Sequence, residues 1–600
     1  MAKIKQLPRR SQVKPADTWD LSSLFADDAA WETAFSKWES EIVGYDAFRG
    51  RLDTDAKTLA VCLRFDTDFE RAAERLGTYA FLKTAEDAAN SAYQRMIGRY
   101  RNVASRAAQA SSYIRPEIMA IATKTMESFM ASKPLAEFRL ALEQLLRYKP
   151  HTLGKREEKL LAMQSEMSEA SNQVFRQLTD ADLKWGTLKN DRGELVELSN
   201  SSFSSFLQSS ERGVRKKAFH QYYAQFAAHE NTLAAALSGS IQRDVYYARA
   251  RNYESALAAS LFHDNVPVSV VDNLIASVHR HLPALYRYYD LRRRKMQMRE
   301  IHHYDTYVPI LSNLKTRHAW NQAVKLVISA VEPLGSHYCG VLEGGLSGRW
   351  SDRYPNQGKQ SGAFSSGSYD GNPYILMNYQ TDVLDHVFTL AHEAGHSMHS
   401  HFSAAHQPFQ YYNYTIFVAE VASTFNEQLL SRYLMQRATG DQQRAFLINR
   451  EIDAIRGTIL RQTMFAEFER ITHALAEAGE PLTVDRFKSE YSKLLALYFG
   501  PDFTLDPEMS LECFRIPHFY RAFYVYKYAT GLSAAIALAE RVTSGGQQEL
   551  DDYLRFLKGG CSKYPLDLLR GAGVDMQQPH AVDTALDHFE QLVGELDELL

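Results

Sequence analysis

The sequence predicts a mainly α protein, and three observations carry that reading. Long amphipathic stretches with few helix breakers recur along the chain, strand signals are few and local, and neither a fixed-period repeat nor a low-complexity linker intervenes. The segment 66–111 is Ala-rich and periodic at helical spacing. The same texture returns at 156–180, 211–250, 266–300, 441–478 and 520–543. Two places read as strand. LKWGTLKNDRGELVELS (183–199) predicts a hairpin that turns at Asn190-Asp191-Arg192-Gly193. PYILMNYQ (373–380) predicts a short apolar strand after a Gly- and Ser-rich loop at 358–372.

A chain of 600 residues exceeds what one hydrophobic core usually serves, so two or more lobes are expected. Placing the boundary at the hairpin gives a helical N-terminal lobe over 1–200 and a larger domain over 201–600. The hydrophobic fraction of 45% and charged fraction of 23% are those of an ordinary globular protein. With 68 basic against 72 acidic residues, the net charge of −4 gives no general attraction to nucleic acid or anionic membrane, so neither is expected as a partner. The one basic cluster, LRRRKMQMR (291–299), follows a Leu/Tyr-rich helical pattern and reads as a solvated helix face. Four scattered cysteines, Cys62, Cys339, Cys513 and Cys561, exclude a disulfide framework and thiolate zinc sites. The basic N-terminus lacks a secretory apolar core, and no window approaches ~18 apolar residues. A cytoplasmic location is expected; oligomeric state is not encoded in any feature of the sequence.

The histidine-rich stretch DHVFTLAHEAGHSMHSHF (385–402) contains an H-E-x-x-H match, His392-Glu393-Ala394-Gly395-His396. On an α-helix, residues four apart lie about 40° apart in azimuth and about 6 Å along the axis. Two imidazoles so placed can converge on one cation, with the intervening Glu beside a metal-bound water. Apolar residues at 384, 387, 388, 391 and 398 support a helix, with Thr381 and Asp382 as cap candidates. A zinc site of this kind needs a third protein ligand and one open position. YYNYTIFVAEVASTFNEQLL (411–430) supplies candidates, since Glu420 and Glu427 fall two turns apart on one helical face. Glu420 interrupts an otherwise apolar run, where a carboxylate is costly unless a cation pairs with it.

LAHEAGHSMHS followed by FVAEVASTFNE resembles the oligoendopeptidase F group of zinc metallopeptidases, in the superfamily of thimet oligopeptidase. TWDLSSLF near the start, YDTYVPI (304–310), GKQSGAFSSGSYDGNPYILMNY (358–379) and FRIPHFYRAFYVYKYATGLSAA (514–535) are similar to the same group, in the same order. The resemblance implies a fold of two helical lobes flanking a deep substrate channel, with a few short strands beside the zinc site. It implies one Zn2+ per chain held by His392, His396 and Glu420, with Glu393 as general base and acid. Glu427 and His399 would support the ligands, and His401 and His406 read as loop residues.

In IPHFYRAFYVYKYATG (516–531), His518, Tyr520, Tyr524, Tyr526 and Tyr528 are candidate donors or substrate contacts. Positions 520, 524 and 528 share one face if the segment is a helix, and an aromatic core stripe is the plain alternative. The resemblance favours His518, Tyr526 and Tyr528 as catalytic, without separating the two tyrosines, and Tyr520 and Tyr524 as substrate-binding. Gly362, Tyr374 and Ile375 are candidate substrate contacts, because a strand edge can pair with an extended peptide whatever its side chains. The function implied is endopeptidase hydrolysis of short peptides. One rival is a peptidase trimming chain ends, which would need an anchor for the terminal charge such as Arg515 or Arg521. The other is an inactive peptide-binding scaffold, which predicts damage to a site whose four central residues are all present.

Overall fold

A computed structural model describes residues 6–311 and 316–600, and the described residues are mainly helical with five short strands. By contacts the chain divides into two units. One comprises Met1–Pro150, Lys315–Tyr433 and Leu538–Gly573; the other comprises His151–Leu314, Leu434–Ala537 and Val574–Leu600. The hairpin expected near 190 is present, with β1 (Thr187–Lys189) antiparallel to β2 (Leu195–Glu197), and it lies inside the second unit. The Asn190 side chain accepts from the backbone N–H groups of Arg192 and Glu194, which closes the turn.

The long helical stretch at 66–111 is two helices, Ala56–Glu86 and Ser91–Ser111. Asn90 caps the second by accepting from Ala92 and Tyr93. They pack with Asp28–Glu41 around an aromatic core, where Trp31 stacks on Phe35 at 4.8 Å and Trp38 lies 5.2 Å from Phe69.

In the second unit, Val268–Lys295 runs beside His580–Leu599. Arg280, Arg287 and Arg294 meet Asp583, Glu590 and Asp597, each step seven residues along both helices. Within the basic run at 291–299, Arg293 and Arg294 also bond Asp290, whereas Arg292 is buried, so the run is not wholly the solvated helix face that its sequence suggests.

The first unit carries the sheet that matters for the site. β3 (Ser351–Asp352) runs parallel to β5 (Tyr374–Leu376), and β4 (Phe364–Ser366) runs antiparallel on its other side. Lys359 fixes the connecting Gly/Ser-rich segment. Its fully buried ammonium pairs with Asp352 at 2.7 Å and donates to the carbonyls of Asp352, Tyr354 and Met377. Against this sheet lies the helix Asp385–His406, and Ser365 Oγ sits 2.9 Å from Ser397 Oγ. That helix begins without a side-chain cap at Leu384, so Thr381 and Asp382 do not cap it, and it runs through His401 and His406 rather than ending before them.

The helix Ile416–Gln436 crosses it at Gly395. A Cβ there would lie 2.4 Å from the carbonyl oxygen of Ala422 and 2.5 Å from Cα of Ser423, both backbone atoms that cannot rotate away. Asn426 ties the same crossing, donating to the carbonyl of Ala391 at 3.3 Å while accepting from the buried hydroxyl of Tyr338 at 3.1 Å. Substituting Gly395→Ala should therefore force the helices apart, lowering stability by about 1–3 kcal/mol and weakening metal retention. Urea unfolding and metal analysis of the same preparation would measure both effects.

Candidate metal centre

Three donor atoms converge where these helices cross. His392 Nε2 is 3.3 Å and His396 Nε2 3.7 Å from the same Glu420 oxygen, and the donor atoms of all three residues lie within 4.8 Å of one another. The four-residue spacing sets the imidazoles 4.8 Å apart, nearly perpendicular at 83°. Glu427, two turns after Glu420, takes the other nitrogen of His392: Nδ1–H donates to its carboxylate at 2.7 Å. That bond selects the tautomer whose Nε2 lone pair points at the cluster. Glu420 is steadied in turn by Ser423, whose hydroxyl donates to the same carboxylate oxygen at 3.2 Å.

The electrostatics of the group call for a cation. Burial alone would push His392 down, yet its hydrogen bonds to Glu420 and Glu427 raise it to about 10. The His392 hydrogen bond, against burial, holds Glu420 down at about 2. Burial and the neighbouring charge on His392 push His396 down to about 4. Two carboxylates facing two imidazoles thus draw positive charge, either a proton on His392 Nε2 or a metal ion in its place, and two nitrogens and one oxygen suit a divalent first-row ion with a position left for water. The donor set fits a metal ion; among the described residues it is the one group of three such side chains brought together.

Glu393 flanks the cluster and is only 7% exposed. Burial raises its carboxyl to about 7, Glu420 and Glu427 adding to the rise, while His392 and the backbone N–H of Ser365 oppose it. Ser365 falls in the family-like segment 358–379, but nothing in that segment singles it out, because strand pairing puts it beside Glu393. Tyr414 is likewise unmarked; its hydroxyl reaches Ser400 at 3.0 Å and the carbonyl of His396 at 3.5 Å. His399 stacks on that Tyr414 ring at 3.7 Å and is 1% exposed, so it supports the ligand helix from the core side. Gly395, in contrast, stood in plain view inside the HEAGH motif.

Several expected site residues lie elsewhere. Tyr374 and Ile375 are fully buried on the central strand β5, whose two sides are taken by β3 and β4. They offer no edge to a peptide; the edge strand next to Glu393 is β4. Gly362, at φ +82°, lies in the turn before β4, where its carbonyl accepts from Asn378 at 2.8 Å.

His518, Tyr520, Tyr524, Tyr526 and Tyr528 belong to the second unit. The helix there starts only at Tyr526, so 520, 524 and 528 do not share a helical face. Tyr520 lies in a 3-10 turn, buried and stacked on Phe175 at 4.4 Å, and Tyr526 is 1% exposed. Both side chains are packed in the core of the second unit. Exposed His518 and half-buried Tyr524 and Tyr528 instead form one cluster, the two phenol rings 5.3 Å apart and each 6.3 Å from the imidazole. The candidate anchors differ: Arg515 is bonded to Glu512 at 3.1 Å, whereas exposed Arg521 lies over the Tyr524 ring at 4.6 Å.

A place for one cation, and beside it a carboxylate held near neutrality, is the equipment of a metal-dependent hydrolase, here on a mainly helical scaffold. Comparison with known proteins agrees. The sequence model of peptidase family M3 matches residues 205–588, and that of oligopeptidase F matches residues 117–185. The chain is 41% identical to oligopeptidase PepF of Bacillus subtilis over 100% of its own length and 89% of that protein's. It is 35% identical to an oligoendopeptidase F homolog of Borreliella burgdorferi, covering 98% and 99%. Crystal structures of a Chlamydophila abortus protein (TM-score 0.95, 33% identity, 99% and 100% covered) and of oligoendopeptidase-F from Enterococcus faecium (0.73, 34%, 95% and 99%) have the same fold. The chain belongs to peptidase family M3 and is a metallopeptidase.

Removing the outer carboxylate tests the hierarchy of the site. Glu427→Gln should keep the fold and lower metal affinity by about 10- to 100-fold, read by competition with a graded chelator. An unchanged affinity would mean that the His392 tautomer is set by something else.

Proposed function

We propose that this protein is a zinc endopeptidase that cleaves internal bonds of short peptides, using His392, His396 and Glu420 to hold one ion and Glu393 to move the proton. The observation that carries the reading is the convergence of those three donors beside a buried carboxylate. Membership of family M3 and the endopeptidase names of its relatives support the same reaction. No helix among the described residues is long and apolar enough to cross a membrane.

Zinc, when bound, supplies a Lewis acid that makes water acidic near neutral pH and polarises a carbonyl. The chain's own residues do the rest. Glu393, raised to about 7, stands close enough to neutrality to take a proton from the attacking water and return it to the departing amine. The Ser365 N–H faces that carboxylate and favours its charged form, and Glu427 keeps His392 Nε2 free for the ion. Because Ser365 belongs to β4, an extended peptide added to the outer side of that strand would run past Glu393 with its side chains free to vary. Tyr528 and His518 are the proposed further donors to the oxyanion of the tetrahedral intermediate, since the carbonyl oxygen gains a full charge there. End-trimming remains the second reading, with Arg521 as the anchor open to a terminal carboxylate.

Glu393→Gln should retain one metal ion per chain and lose hydrolysis by about 10²–10⁴-fold. Turnover surviving at full metal content would move the general base elsewhere. Tyr528→Phe should lower kcat by about 10²–10³, with KM little changed. Digestion of blocked and unblocked peptides of graded length, with every product identified by mass, separates internal cleavage from end-trimming. Products that always retain one or two residues from a free end would overturn the endopeptidase reading.

A further inference from the structure

The second unit contains a cavity unrelated to the metal-binding residues. It encloses about 120 Å³, and its polar lining comes chiefly from Tyr289, His303, Tyr307, Arg456, Arg461 and Tyr498. No acidic side chain lines it. Two features of the wall are unusual. Arg456–Leu460 is a π turn between the α-helices Asp441–Ile455 and Arg461–Glu477. In a regular α-helix, residues five apart point about 140° away from each other. The wider turn brings Arg456 and Arg461 to one cavity, and such single π turns recur at functional sites.

The second feature is charge. Arg456 pairs with Asp453 at 3.1 Å. Arg461 and Arg515 share one carboxylate, Glu512, which also accepts from Tyr491. Arg292, 1% exposed, donates to the Tyr288 hydroxyl and to the carbonyls of Asp305 and Val308, with no carboxylate against it among the described residues. Asp305 is itself shared by Arg212 and Arg215. The other nearby acid, Glu467, accepts from Tyr498 and is occupied by His279.

Of the residues that line the cavity, Arg456 and Arg461 carry guanidiniums and none carries a carboxylate; Asp453 serves Arg456, but Glu512 is divided between Arg461 and Arg515. Buried charge is ordinarily matched. A polar group is also left over: His303 lines the cavity at 3% exposure, and its Nδ1 has no partner among the described residues while Nε2 faces the Tyr307 hydroxyl at 3.3 Å. Burial, with the fields of Arg461, Arg515 and Arg456, pushes this imidazole down to about 3. It therefore stays neutral and cannot be the source of the excess.

We propose that this cavity binds a small singly charged anion, a halide or a carboxylate, between Arg456, Arg461 and Tyr307. The two guanidiniums supply charge-assisted donors, the tyrosine a neutral one, and one negative charge offsets the surplus. The carboxylate could be a free ion or the C-terminus of a peptide; the chemistry recognised is the same.

Melting of the full-length metal-loaded enzyme in potassium chloride should exceed that in potassium gluconate of equal ionic strength by about 2 °C, because gluconate is too large to enter. Potassium acetate should act as chloride does, and Arg456→Gln should abolish the difference. Should that variant not fold, wild-type crystals soaked in sodium bromide decide, with an anomalous peak expected against Arg456 and Arg461. If the occupant is a peptide terminus, chloride raises KM for free-acid peptides and leaves their amidated counterparts unchanged; if it is a free ion, both respond alike. Equal melting in chloride and gluconate, together with no bromide in the cavity, overturns the proposal.

Discussion

The approach of two helices at Gly395 is the constraint on which the metal centre depends. His392 and His396 sit on one helix, and Glu420 and Glu427 on the other. Their donor atoms meet only because the second helix passes within van der Waals reach of the glycine, backbone against Cα. A larger residue would hold the carboxylates away from the imidazoles, leaving each set as an ordinary polar helix face. The hydrogen bond from Asn426 to Ala391 and the sheet packed behind the first helix hold the same approach from two further directions. The chemistry is thus a consequence of helix packing, with the ligands as its visible result.

Within that frame the carboxylates divide the work through their surroundings. Glu420 is held low by the His392 hydrogen bond and is permanently charged, which suits a candidate metal ligand. Glu393, one residue from His392 but buried against β4, is raised towards neutrality and is free to exchange a proton. Glu427 bonds the opposite nitrogen of His392, Nδ1, and so settles which nitrogen faces the cluster. Three glutamates of identical intrinsic acidity acquire three roles from burial and from what they touch.

The second unit handles charge differently. It sets two arginines, Arg456 and Arg461, on a cavity that no carboxylate lines, and widens one helix by a π turn to do so. Its loop from His518 to Tyr528 separates core aromatics from a small exposed cluster. The family resemblance placed Tyr526 with Tyr528 without separating them. The helix that begins at Tyr526 turns them about 200° apart, and burial then assigns them opposite environments.

Much of this protein was determined by its sequence alone. The mainly helical fold followed from apolar periodicity, and the hairpin from Asn190-Asp191-Arg192-Gly193. The candidate metal donors were marked by a four-residue spacing and by a carboxylate interrupting an apolar run, because local geometry dictates which side chains share a helical face, and the family resemblance chose Glu420 among them. What the tertiary structure decided is everything that depends on pairing between distant segments. Strand order made β5 a central strand, so Tyr374 and Ile375 lost the edge expected of them and Ser365 on β4 gained the place beside Glu393. Packing turned His399 into a prop for Tyr414 and sent Tyr520 and Tyr526 into the core. The physical reason is that periodicity records which residues avoid water, whereas the identity of the partner that covers them is set only when remote parts of the chain meet.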